Sequence, residues 1–345
     1  MIEMSYTDPN LAADQGSLRV EKPLTIEGLF SYDDTDTRML YKEFQEGVQV
    51  YNEVEWGLMS QFTKKTTKET VRVWQRNMEF VTASEGYLED WQKLRAMEIS
   101  IPLDEFELGF AFTKKAIQDS TADELRETQG EALAADQRLM AKRFMFRALT
   151  PGVTTSIGWW DGNMALVNMR APPDWKGNTF GLAHNHFDPS GAANIALSDF
   201  SAIKREIRQH GYSGPLFLFM NNQEVEACEN LAGWTTAMTS NSIVETVATK
   251  GFDVIKQFQG FTLIQDDWIP AGYLLAIESR VKPITFREPV NAKARGLKLW
   301  QGPYSDYPLM ESYYSHRFDM GVVHRGAGAV RQITAGAWVT PTFTF

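Results

Sequence analysis

Between Pro102 and Pro151 the chain contains no proline, and across the second half of that stretch Leu125, Ala132, Leu139 and Phe146 recur at intervals of seven, with Leu133 and Met140 beside them. Proline breaks a helix by removing a backbone donor and clashing with the preceding turn, so a proline-free stretch with this recurrence reads as one long helix. Ser120 and Thr121 stand before Asp123 and Glu124 and offer overlapping capping boxes for its start. The expected helix covers 120–149, about 28 residues and roughly 42 Å at 1.5 Å per residue. Ordinary globular helices run about three turns. This one is an amphipathic core helix that is also long enough to brace an elongated subunit.

The chain before that helix changes character twice. Residues 1–34 are acidic, with Glu3, Asp8, Asp14, Glu21, Glu27, Asp33 and Asp34 against Arg19 and Lys22, and they are broken by Pro9, Gly16, Pro23 and Gly28. With no sustained apolar period they read as an extended arm, ordered only where a neighbour holds it. From Asp36 and Thr37, which suit an N-cap, Leu40, Phe44, Val48, Tyr51 and Leu58 recur at helical steps. Residues 66–107 alternate instead. Val71 and Val73 face one way and Arg72 and Trp74 the other, a polar stretch around Ser84, Gly86 and Asp90 follows, and alternation returns over 97–101. This pattern predicts an extended hairpin with a long polar tip and charge on both faces, which has too little apolar surface to stand alone.

After Pro151 the pattern becomes mixed. Ser198 and Asp199 are placed to cap a helix whose apolar face is Phe200, Ile203 and Ile207, with Gly211 ending it. Leu216–Met220 is a continuous apolar strand of the buried type. Residues 223–233 and 241–250 read as helices, and 261–264 and 273–277 as strands joined by the turn formers of Asp266–Gly272. The last 60 residues lean toward strand, and no internal repeat is visible.

Charge and cysteine content narrow the function. A net charge of −10 argues against a protein that grips nucleic acid through its phosphates. The densest basic pairs, Lys114-Lys115 and Lys142-Arg143, are expected on solvated faces. The single cysteine, Cys228, rules out an intrachain disulfide framework and fits assembly in a reducing cytoplasm. No secretory leader is expected from the first ten residues, and no apolar run has the length of a membrane span.

Candidate chemistry is sparse. Within Gly181–Asp188, His184 and His186 at i and i+2 would share one strand face that Asp188 continues, a set zinc or iron could accept. No further histidine or glutamate stands out as a ligand, so the two histidines read as structural or interface residues. Cys228 lies among Glu224, Glu226 and Glu229, which would raise its thiol pKa. The sequence contains no G-x-S-x-G elbow and no phosphate-binding glycine loop. The small residues of Arg325–Arg331 suit a strand passing close to another backbone. No catalytic, cofactor-binding or metal residue is assigned, and no cofactor is expected.

Three stretches of the C-terminal half resemble the major capsid proteins of tailed bacteriophages, which share the Hong Kong 97-type fold. Asp267-Trp268-Ile269-Pro270-Ala271-Gly272-Tyr273 is similar to that family's turn before a strand, Lys282–Glu288 to its basic-proline strand, and Gly321–Ile333 to its closing strand segment. Their order, after an acidic arm, a long hairpin and a long helix, strengthens the likeness. The resemblance implies an α+β fold with an N-terminal arm (1–35), an N-terminal helix (36–65) and an E-loop (66–107). It further implies a peripheral domain (108–165 and 281–345, with a spine helix at 120–149) and an apical domain (166–280). By the same resemblance the chain would form hexamers and pentamers of an icosahedral head, with portal and scaffolding proteins as partners. A decoration protein could bind outside, and double-stranded DNA would be enclosed without sequence-specific binding. The product would be a virion component made in the host cytoplasm and not an enzyme. Lys93 lies in the E-loop, but no asparagine partner is identifiable for the covalent link some relatives form. Two other readings stay open: an encapsulin-type compartment shell, and a metal-dependent hydrolase using His184, His186 and Asp188.

Overall fold

The computed structural model describes residues 29–53, 59–74, 96–151, 175–181, 184–234, 253–302 and 309–343. The expected arm up to residue 28, the hairpin tip with Lys93, and the expected helix at 241–250 lie outside them. In chain order the elements are α1 (Thr37–Glu53), α2 (Met59–Phe62), β1 (Thr63–Thr66), β2 (Thr70–Trp74), β3 (Ala96–Ser100), β4 (Asp104–Ala111), α3 (Lys114–Asp119) and α4 (Ala122–Leu149). After them come β5 (Phe187–Pro189), α5 (Leu197–Arg208), β6 (Leu216–Met220), α6 (Asn222–Cys228), β7 (Asp253–Phe258), β8 (Phe261–Gln265) and β9 (Tyr273–Glu278). The chain closes with β10 (Ile284–Arg287), β11 (Leu297–Gln301), β12 (Glu311–Val322) and β13 (Gly328–Gln332).

The chain divides into two compact units. The first takes its described residues from 29–53, 105–137, 294–302 and 309–317. Its start is set by local chemistry: the Asp36 carboxylate accepts the Arg38 N–H at 2.8 Å, which makes Asp36 the N-cap residue of α1. Leu40, Phe44 and Val48 then bury one helical stripe against Leu125, Ala132 and Leu297. The N-terminus of α4 is the expected capping box, with Thr121 N–H donating to the Glu124 carboxylate at 2.8 Å and Glu124 N–H donating to Thr121 Oγ1 at 3.3 Å. β11 pairs antiparallel with β12 in the register Leu297↔His316 to Gln301↔Ser312.

The second unit is built on a six-stranded sheet ordered β5-β13-β9-β6-β8-β7. β6 is its central strand, antiparallel to β9 and parallel to β8, and all five of its residues are buried. That explains the unbroken Leu-Phe-Leu-Phe-Met run, since a strand covered on both faces has no solvent side to carry polar residues. Phe62 packs edge-on to Phe217 and Phe219, with ring centroids 5.2 and 5.5 Å apart. In the same unit β1 runs parallel to β10, and β10 is antiparallel to residues 319–322 of β12. β2 and β3 form the base of the expected hairpin, registered from Thr70↔Ser100 to Trp74↔Ala96. Ile99 and Ile101 anchor that base in the core. Ile101 fits because Gly321 has no side chain: a Cβ there would come within 2.7 Å of it.

Three expectations are corrected. The heptad pattern of α4 does not mark one buried stripe. Leu125, Ala132 and Met140 are buried, whereas Leu139 and Phe146 are only half-buried. A straight helix drifts about 20° per heptad, and residues 140–149 belong to the second unit, where most of them are buried. Arg143, expected at the surface, is buried and ion-paired, while Lys114 and Lys115 are exposed as expected. Ser198 and Asp199 do not precede α5 but lie in its first turn, where the Asp199 carboxylate reaches back to accept the Ala196 N–H at 2.8 Å.

Candidate functional site

The His184-x-His186 segment gathers a third imidazole that the sequence pattern did not single out. His210 lies just beyond α5, before the left-handed Gly211. Its Nε2 atom stands 2.8 Å from the Nε2 atoms of both His184 and His186, which are 3.1 Å from one another. His186 Nδ1 is 2.6 Å from the Gly328 carbonyl oxygen at the start of β13. Phe180 stacks on His210 with centroids 4.1 Å apart and tilts over His184 at 4.7 Å. Burial favours the neutral form of all three rings. It lowers His184, takes His186 to about 4, and takes His210 to about 2 with help from the neighbouring imidazoles.

Asp188 does not join this set, contrary to the ligand trio expected for the hydrolase reading. The i, i+2, i+4 argument requires a strand from 184 onward, but pairing begins only at Phe187, after an irregular segment in which Asn185 Oδ1 accepts the Phe187 N–H at 2.9 Å. Asp188 instead hydrogen-bonds Glu206 on α5. Burial, followed by the charge and hydrogen bond of Asp188, raises the Glu206 carboxyl to about 8, which favours its protonated form at neutral pH. No spacing pattern pointed to His210, and the one signal the sequence offered was its scarcity and its place in the chain. It is one of five histidines, and it sits at the end of the helix that follows the His-x-His segment.

Two further polar clusters are structural in geometry. In the second unit Asp319 is fully buried; its carboxylate accepts from Arg143 Nε at 2.9 Å and pairs with Arg147 Nη2. Arg143 also pairs with Asp104. The two arginines stand one turn apart on α4, so one carboxylate from β12 fastens two positions of the helix. In the first unit Asp136 accepts the Tyr51 hydroxyl at 2.8 Å and lies 2.7 Å from His316 Nδ1. The histidine–carboxylate pair has a phenol as its third member, and that phenol donates to the carboxylate, so the group ties α1, α4 and β12 together and presents no nucleophile. Cys228 is fully buried on α6.

The stretches that carried the family resemblance are ordered. Gly272, at φ +85°, turns the chain into β9, and its N–H donates to the Glu224 carboxylate at 2.6 Å. Asn221, which caps α6, donates from its side-chain amide to the Ile269 carbonyl at 2.9 Å. Gly328–Gln332 forms β13, which lies between β5 and β9.

No family model and no curated protein matches the chain. Solved structures do. The chain is similar to one from Mycobacterium phage Patience, at a TM-score of 0.65 and 22% identity, covering 90% of this chain and 92% of that one. It is also similar to the capsid of a native GTA particle (TM-score 0.54, 14% identity, 80% and 89% covered). The mature capsid of bacteriophage PhiM1 matches at a TM-score of 0.50 and 10% identity, with 81% and 87% covered. The α+β fold is therefore the Hong Kong 97-type fold that the sequence motifs resembled.

Proposed function

We propose that the chain is the major capsid protein of a tailed bacteriophage, assembling into hexamers and pentamers of an icosahedral head. The observation that carries this reading is the likeness to the Patience chain over nine-tenths of both sequences, with the GTA and PhiM1 capsids behind it. The arrangement of parts agrees with it. A long helix and a twelve-residue strand each contribute to both units, and the antiparallel pair of β2 and β3 belongs to the second. Such a subunit works through its edges, by burying them on other copies. The net charge of −10 suits a shell that encloses double-stranded DNA without gripping it. Portal and scaffolding proteins are the expected assembly partners, with the virion as the final location and the host cytoplasm as the place of assembly.

Negative-stain imaging and sedimentation of the expressed chain, alone and with a scaffolding protein, test the proposal. Capsomers or closed shells are expected. A compact monomer under both conditions overturns it, and closed shells that package an enzyme rather than DNA assign the chain to encapsulin-type compartments.

A further inference from the structure

We propose that His184, His186 and His210 form a binding site for one divalent transition-metal ion, zinc or an ion of similar chemistry, in each subunit. The inference does not depend on whether the chain builds a capsid.

The argument begins with the three Nε2 atoms, spaced 2.8, 2.8 and 3.1 Å apart. A hydrogen bond between two imidazole nitrogens needs an N–H on one side and a lone pair on the other. His186 Nδ1 lies 2.6 Å from the Gly328 carbonyl oxygen, so the proton of the neutral ring is there and its Nε2 presents a lone pair. If His184 and His210 both donate to that lone pair, they face one another proton to proton. If only one donates, the other meets His186 lone pair to lone pair. An added proton moves the mismatch to another edge without removing it, because two kinds of atom do not alternate around a triangle. At least one close, part-buried polar contact is therefore unmatched in every metal-free state, at part of the cost that an unsatisfied buried polar group carries.

A cation on the axis of the triangle resolves this, since each ring then carries its proton on Nδ1 and directs its Nε2 lone pair at the ion. The spacings fit. With metal–nitrogen bonds of about 2.0–2.1 Å, octahedral bonding sets neighbouring nitrogens about 2.9 Å apart and tetrahedral bonding about 3.3 Å. The observed triangle matches the first and needs a few tenths of an ångström of opening for the second.

The surroundings are those of a supported ligand set. The Gly328 carbonyl fixes the tautomer and plane of His186, the outer-shell role a carbonyl plays for a metal-bound imidazole. Phe180 packs over His184 and His210, and Gly326 brings its backbone under the His210 ring, where a Cβ would approach to 3.0 Å. Three neutral nitrogens and no carboxylate select ions such as Zn²⁺, Ni²⁺, Co²⁺ or Cu²⁺ over Mg²⁺ and Ca²⁺. The bound ion would staple the segment entering β5 to the turn leaving α5.

The test uses the full chain, purified without a histidine tag, stripped with a chelator and dialysed. Zinc is titrated in against a chromophoric chelator, and the retained metal is measured by plasma mass spectrometry. Stoichiometric zinc that survives dialysis, raises the thermal midpoint and falls at least tenfold in affinity in His210→Asn and His184→Asn is expected, while His324→Asn behaves as wild type. Magnesium should compete with none of this. Should the variants fail to fold, the ¹⁵N shifts of the wild-type imidazoles on adding zinc answer the same question, because three Nε2 signals should move together. Wild-type protein that retains no zinc, nickel, cobalt or copper overturns the proposal. So does stoichiometric zinc that persists in folded His210→Asn, or that leaves these Nε2 signals unmoved.

Discussion

Replacing Asp319 by Asn tests the main electrostatic tie in the second unit. The substitution keeps the shape and the oxygen that accepts the Met320 N–H at 2.7 Å, but removes the charge that neutralises two guanidiniums. Arg147 loses its carboxylate while 5% exposed, and Arg143, at 10%, loses one of its carboxylate pairs and retains that with Asp104. Breaking a buried pair from one side costs about 3–5 kcal/mol, because the remaining charge stays desolvated. Against a typical stability of about 5–15 kcal/mol this is roughly a fifth of the total or more. Urea denaturation of the unassembled subunit, followed by circular dichroism, should show a lower midpoint at an unchanged slope. Arg126→Ala is the control: its partners Glu43 and Asp123 are exposed, so a much smaller loss is expected. Adding Arg147→Met to Asp319→Asn should cost less than the two changes summed, since the second removes the cation the first left unpaired. The reasoning fails if Asp319→Asn is no more destabilising than Arg126→Ala, or if the double variant is simply additive.

Met140→Ala should destabilise by about 2–5 kcal/mol as a buried truncation, and the half-buried Leu139→Ala by less than half as much; equal thermal shifts would contradict the burial difference. Asp266, whose carboxyl burial raises to about 6, gives a pH-dependent test. Its contribution is fully present below the unfolded value near 4 and is lost as pH rises through 6, so Asp266→Asn should match wild type at about pH 3 and gain up to about 3 kcal/mol by pH 7. Asn keeps the oxygen that accepts the Trp268 N–H, and a flat difference across pH would show that this carboxyl is not the cause. Under the proposed function, replacing Thr82–Gln92 with a Gly-Ser linker should leave circular dichroism nearly native while sedimentation shows free subunits or small oligomers. Normal particles from that variant would remove the hairpin from the assembly argument.

What was legible in the sequence was local. The long helix and its capping box depend on proline absence, an apolar recurrence and residues three apart, and each of these lies within one turn of what it controls. The same holds for Leu216–Met220, for the α1 stripe, and for the turn at Gly272. The family resemblance was legible because short turn-and-strand stretches keep their order along the chain. What the sequence did not determine was which distant residues meet. Arg143 reads as a surface residue until Asp319, from a strand far along the chain, is placed beside it. His210 has no pattern linking it to His184 and His186, and Asp188 was a credible ligand until strand pairing was seen to start at Phe187 and α5 to present Glu206. Long-range pairing of charges and imidazoles depends on how helix and sheet pack, and only the tertiary structure fixes that, because side-chain chemistry specifies what a group needs but not which part of the chain supplies it.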